Sequence, residues 1–141
     1  MAAADNKALA SEYFEAFGRN DFPALQRVVH PDVVYHTAPP GLSPGIEGYR
    51  ELMAMYKSAF PDLEVTVGDM VAEDDKVAAR FSATGTHRGE LMGIASTGKR
   101  VTVGGMSILR IANGKITDEW DQIDMLGLMQ QLGAIPEPAP A

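Results

Sequence analysis

Apolar residues recur at helical spacing in Leu9, Tyr13, Phe14 and Phe17, which predicts a first helix capped by Asp5 and stopped at Gly18-Arg19-Asn20. Asp21 is placed to cap a second, shorter helix carrying Leu25, Val28 and Val29. That helix should end at His30-Pro31, because the residue before a proline is pushed out of the α region. Val33 to His36 reads as a short strand, followed by a Pro/Gly-rich loop from Ala38 to Gly48. Leu52, Met55, Tyr56 and Ala59 share one side of a third helix spanning 49–60, which Pro61 terminates. From Leu63 the period falls to two. Strands over 63–72 and 77–87 are joined by Glu73-Asp74-Asp75-Lys76, and a Gly-rich loop, 89–99, leads to a strand over 101–112. Asn113-Gly114 is a strong hairpin signal, because a type I′ turn needs positive φ at both central residues. The last strand runs into a short helical segment around Leu126 to Gly133, and 136–141 reads as a frayed Pro/Ala tail. Helices gathered on one side of a curled antiparallel sheet define an α+β class, with a single domain over 1–135 and a conical cavity between the layers.

Composition narrows the partners. The chain has 141 residues, 45% hydrophobic and 22% charged, an ordinary balance for one globular domain. A net charge of −7 argues against nucleic acid, since nothing here neutralises phosphates in a row. Lys and Arg are scattered, so an anionic membrane surface is not expected either. There is no cysteine, which excludes disulfides and thiolate metal sites. The three histidines and dispersed carboxylates show no metal-ligand spacing, so no metal is expected. No apolar run approaches the roughly 20 residues needed to span a bilayer. The chain begins Met-Ala-Ala-Ala-Asp and goes directly into a helical pattern, without the form of a leader. A cytoplasmic protein that binds a small apolar molecule is the expectation.

Strict alternation puts Ile116, Asp118, Trp120, Gln122 and Asp124 on one face of the last strand, and the Ile and Trp should turn that face inward. Asp118 and Asp124 are then drawn into an apolar interior, where a carboxyl group can hold a proton near neutral pH. Asp124 is the leading acid/base candidate; the competing reading is a cap on the following helical segment. Arg80, between Ala79 and Phe81, would pair with one of these carboxylates if it faces the cavity, and would otherwise lie on the outer face of the sheet. His36 closes a strand at the mouth of the Pro/Gly loop and is an acid/base or orienting candidate. His87 sits where a strand breaks into a loop, as a substrate contact or a loop anchor. His30 reads as a helix-end residue. Trp120 is a core residue or a stacking platform, and Tyr13, Tyr35 and Tyr56 offer hydroxyls to a substrate carbonyl. Met53, Met55, Met92, Met106, Met125 and Met129 are gap fillers or an adaptable lining. Counting back from the Asn-Gly turn pairs Ser107 with Trp120 and Val103 with Asp124, which makes Ser107 a further cavity candidate.

A series of short motifs carries a family resemblance. It runs through Tyr35-His36 with its Gly/Pro loop, Gly85-Thr86-His87-x-Gly89, Thr97-Gly98-Lys99-x-Val101 and Gly114-Lys115-Ile116. It continues in Trp120-x-x-x-Asp124 and Leu128-x-Gln130-Gln131-Leu132-Gly133. In order and spacing the series resembles the SnoaL-like polyketide and ester cyclase branch of the NTF2-like superfamily, over roughly residues 5 to 135. The resemblance implies an NTF2-like cone, a curved antiparallel sheet wrapped around a pocket roofed by N-terminal helices. It also implies frequent homodimers packed through the sheet and no cofactor. The activity it implies is a cofactor-independent, aldol-type cyclase or isomerase acting on a polyketide-like carbonyl compound. Asp124 would be the acid/base, with Arg80 and His36 orienting. A carrier without chemistry is the alternative. Arg80 is also similar to the Arg of limonene-epoxide-hydrolase-like relatives, but Ser82 stands where their companion acid lies.

Overall fold

A computed structural model describes residues 3–136, so the tail expected at 136–141 lies, from residue 137, outside the described residues. Four helices and five strands follow in the order α1 (Ala3–Gly18), α2 (Phe22–Val28), β1 (Val29–Tyr35), α3 (Ile46–Ala59), β2 (Glu64–Glu73), β3 (Lys76–Thr86), β4 (Arg100–Ala112), β5 (Lys115–Ile123) and α4 (Met125–Leu132). Asp21 caps α2 as its position demands, its carboxylate accepting the Ala24 N–H at 3.1 Å. Asp5 instead lies within the first turn of α1, which is already helical from Ala3.

The sheet order is β1-β5-β4-β3-β2. β2 through β5 form an antiparallel meander, whereas β1 runs parallel to β5 along its free side. The chain leaves α2 directly as a strand at Val29, earlier than the Pro31 signal indicated. One face of the sheet carries Val77, Ala79, Leu109, Ile111 and Ile116, all buried against Tyr13, Phe14 and Tyr49 of α1 and α3. A second apolar cluster joins Phe60, Leu91, Val101, Leu128 and Leu132, and ties α4 and the 87–99 loop to the start of β4. β5 does not reach that part of β4. There Gln131 of α4 completes the ladder, accepting from the Thr102 N–H and donating to the Thr102 carbonyl.

One irregularity controls everything downstream. The β4–β5 pairing starts as Ala112↔Lys115 and Ile111↔Ile116 but continues as Arg110↔Asp118, so Thr117 is an extra residue. A bulge of one residue exchanges the two faces of every position that follows, since side chains alternate with a period of two. Ser107 therefore pairs with Asp121 and Ile108 with Trp120, in place of the pairing expected from an unbroken ladder. The inward residues of β5 beyond the bulge are Glu119, Asp121 and Ile123; Asp118, Trp120 and Gln122 turn outward.

Candidate active site

The helices and the concave face of the sheet enclose a cavity whose walls are mostly aromatic and aliphatic, with Phe14, Phe17, Phe81 and Val103 among them. Gly105 leaves space at its floor: a Cβ there would come 2.6 Å from the Phe81 ring, so only glycine lets that ring lie across β4. Its carboxylates come from β5, and hydroxyls reach it from the helices and the neighbouring strands. Among the described residues lining it there are two carboxylates, Glu119 and Asp121, and no Lys, Arg or His.

Glu119 is almost fully buried, and three hydroxyls from three elements converge on it. Tyr13 of α1 and Tyr49 of α3 each donate to Oε1 at 2.7 Å, and Ser107 of β4 donates to Oε2 at 2.9 Å. Buried tyrosines need acceptors for their hydroxyls, and a carboxylate is the acceptor that satisfies two at once. Burial, with Asp121 adding repulsion, pushes the Glu119 carboxyl from 4.5 up to about 7; the three hydroxyls act in the opposite direction but do not cancel it. Burial likewise pushes the Tyr13, Tyr35 and Tyr49 phenols far above their usual range, so they stay protonated.

Asp121, two residues on and half-buried, is held from the β1 side. Tyr35 donates to its Oδ2 at 2.7 Å and Thr37 to its Oδ1 at 2.5 Å, while the Asp121 N–H is bonded to the Thr37 hydroxyl at 2.9 Å. Tyr35 stacks on Tyr49 with centroids 5.4 Å apart, which fixes both phenols relative to the two acids. Tyr56 of α3 also lines the cavity, and its hydroxyl has no protein partner among the described residues. Burial, and then the nearby Asp121, raise its pKa, so it remains a hydrogen-bond donor.

The residues singled out in the sequence divide sharply. Tyr13, Tyr35, Tyr56 and Ser107 line the cavity as expected. Asp118 and Trp120 do not, because the bulge turns them to the convex face. There the His36 ring stacks on Trp120 at 4.3 Å, and His36 Nε2 meets Asp118 at 2.9 Å. That contact, with Thr117 and Arg110, holds the Asp118 carboxyl below its ordinary value. Arg80 is on the convex face as well, paired with Asp69. Among the described residues no arginine therefore stands between acids in the cavity, so the epoxide-hydrolase arrangement is not built there. Asp124 is exposed and caps α4, accepting the Gly127 N–H at 2.9 Å, so the competing reading of that residue is the one realised. His87 is fully buried outside the cavity, its Nδ1 engaged by the Thr97 N–H and hydroxyl, and serves as the anchor of the 87–99 loop. Of the six methionines singled out in the sequence only Met125 reaches the lining; Met53 lies in the core, and Met92 and Met106 are exposed. Sequence reading missed Glu119, Asp121, Tyr49 and Thr37. The usable signal was the set of tyrosines on the inner sides of the helices, which demand buried acceptors opposite them.

An α+β cone with one apolar cavity and acids in its wall defines a class of small-molecule sites. Within that class, the chain belongs to the SnoaL-like polyketide cyclase family, whose model matches residues 7–132. Aklanonic acid methyl ester cyclase DnrD of Streptomyces peucetius is 34% identical over 98 residues, which is 68% of this chain and 66% of that cyclase, just under two thirds of its length. Nogalonic acid methyl ester cyclase of Streptomyces nogalater is 29% identical over 119 residues, 82% of this chain and 87% of the relative. Among solved structures, AclR of Streptomyces galilaeus, provisionally called a hydroxylase, superposes with a TM-score of 0.87 at 36% identity, covering 98% of this chain and 87% of AclR. No helix of the described residues is long and apolar enough to cross a membrane.

Proposed function

We propose that this protein closes a ring by an intramolecular aldol reaction on a neutral, largely apolar carbonyl compound of the polyketide methyl ester kind. The observation that carries this reading is Asp121, aimed into an apolar cavity and oriented by Tyr35 and Thr37. An aldol closure needs a base to take a proton from carbon next to a carbonyl, and a donor at the oxygen on which charge develops. Asp121 supplies the base, and the uncommitted Tyr56 hydroxyl hydrogen-bonds that oxygen while keeping its own proton. The substrate class follows from charge. A free carboxylate would meet two acids and no cation, whereas an ester presents the same skeleton without that repulsion. Two of the relatives are named as cyclases of such methyl esters.

The convex face supports a second part of the reading, a homodimer packed sheet to sheet. Ile108, Val34, Val71 and Met106 are exposed there beside Trp120, an apolar stripe that a second copy would cover. The test of the chemistry is incubation with aklanonic acid methyl ester. Cyclisation gives a product of unchanged mass that Asp121→Asn no longer forms; a product carrying one added oxygen atom, or full turnover by Asp121→Asn, refutes it.

A further inference from the structure

Glu119 has no task in the reaction as described so far, yet its surroundings are more elaborate than those of Asp121. It projects into the same cavity, it is the more deeply buried of the two, and its two oxygens are treated differently. Oε1 is fully occupied by Tyr13 and Tyr49, and Oε2 faces Ser107 alone, whose Oγ is 2.9 Å away at the cavity wall. A hydroxyl is both donor and acceptor, so that contact can run in either direction. With Glu119 ionised, Ser107 donates to it. With Glu119 protonated at Oε2, Ser107 accepts from the acid, and its own O–H is released toward the cavity.

We propose that Glu119 and Ser107 form a proton relay, so that the two carboxyl groups of β5 divide the work: Asp121 takes the proton from carbon, and Glu119, through Ser107, delivers one to the new alkoxide. The proposal rests on the aldol reading above and assigns its missing proton donor. The substrate C–H bond breaks with its proton going to Asp121, and the electron pair forms the C–C bond at the acceptor carbonyl. The carbonyl π pair moves to oxygen, which takes the Ser107 proton, and Ser107 takes the Glu119 proton in turn. The number of protons is unchanged; Asp121 has gained one and Glu119 has lost one. Both carboxyls are reset by exchange with water when the product leaves. Glu119 touches substrate only through Ser107 and is in that sense a positioning residue.

The ionisable groups facing Glu119 are Tyr13 from α1, Tyr49 from α3, Tyr35 from β1 and Asp121 on β5, with β4 contributing only Ser107. The tyrosines are held protonated, and no Lys, Arg or His lines the cavity among the described residues. Glu119, whose burial raises its hold on a proton, and Asp121, half-buried and bonded from the β1 side, stand in different surroundings, the pattern that assigns one carboxyl as acid and its neighbour as base.

The test measures turnover of aklanonic acid methyl ester against pH for the wild type, Glu119→Gln and Ser107→Ala. Gln keeps an acceptor for both tyrosines and a donor for Ser107, so the fold is retained while proton transfer is not. The relay requires kcat to fall about 10²- to 10⁴-fold in both variants with KM little changed, the usual worth of a general acid. It also requires the wild-type rate to fall as pH rises through about 7, with that limb gone from both variants. Glu119→Gln at the wild-type rate, or slower with the alkaline limb intact, overturns the relay while leaving the aldol reading standing. A wild type inactive on the ester overturns the aldol reading and with it the relay that delivers its proton. In the ligand-free protein, a Glu119 carboxyl ionised throughout from about pH 5 to about pH 8 in carboxyl-detected NMR overturns the relay alone.

Discussion

Glu119→Gln carries a stability prediction that needs no substrate. In the unfolded chain the carboxyl titrates near 4.5, and in the folded protein burial holds its proton up to about 7. The folded state therefore binds its proton more tightly than the unfolded one. Its contribution is fully present below 4.5, declines as pH rises toward about 7, and is flat above that. At about 1.36 kcal/mol per pH unit, the gap corresponds to about 3 kcal/mol of stability lost across the window. Gln carries no titrating proton, so this slope vanishes in the variant. Other groups titrate in both proteins, and the difference between the two isolates position 119. The assay is urea unfolding of wild type and variant at about pH 5 and about pH 8, with the variant's relative stability expected to improve by about 2.5 kcal/mol at the higher pH. At pH 5 the comparison reports only the exchange of a carboxylic acid for an amide among three hydroxyls, a smaller effect. Parallel pH dependence in the two proteins would mean that Glu119 is ionised at no cost, and the account of the buried cluster would be refuted.

Further predictions follow from neighbouring contacts. Tyr49→Phe removes one donor to ionised Glu119; a hydrogen bond to a charged group is worth about 1.5–3 kcal/mol, so the Glu119 midpoint should move up by about one to two pH units in a carboxyl NMR titration. Asp124→Ala deletes the α4 cap and should cost about 1 kcal/mol in urea unfolding while cyclisation continues, since that carboxylate faces solvent. Loss of turnover in Asp124→Ala would return the chemistry to this residue. Ile108→Lys puts a charge in the middle of the convex stripe and should convert a dimer to a monomer by light scattering; an unchanged mass would move the interface elsewhere.

The elements were legible because each had a local physical cause. Asp21, Pro61 and Asn113-Gly114 set boundaries through capping, ring sterics and positive φ, and the structure keeps all three; Asn113 has φ 52° and Gly114 φ 74°. The site was less legible because it depends on parity along one strand. From the turn, alternation gives the right face at Ile116, which is buried, and the wrong one from Asp118 onward, because Thr117 is inserted opposite Arg110. Nothing local distinguishes Thr117 from an ordinary strand residue. In the bulge its hydroxyl donates to the Asp118 carboxylate and lies 3.4 Å from the Arg110 carbonyl. The Tyr35 hydroxyl was a non-local check on parity: an inward face of Asp118 and Trp120 would put Asp118 at the place of Glu119 and the indole at the place of Asp121, where it cannot accept the Tyr35 hydrogen bond.

The bulge also explains how one nine-residue strand serves two surfaces. Were alternation unbroken, the outward side of β5 would carry Glu119 and Asp121, two acids facing any second copy of the sheet. With Thr117 inserted, the acids face inward, where Tyr13, Tyr35, Tyr49, Thr37 and Ser107 satisfy them. The outward side instead presents Trp120 stacked on His36, with Asp118 close to both His36 and Arg110. A face with an indole and a locally balanced carboxylate can be covered by another protein surface at lower desolvation cost than one with two unpaired acids. One extra residue thus gives the cavity its acids and the outer face its indole, and a substitution that removed the bulge would exchange the two.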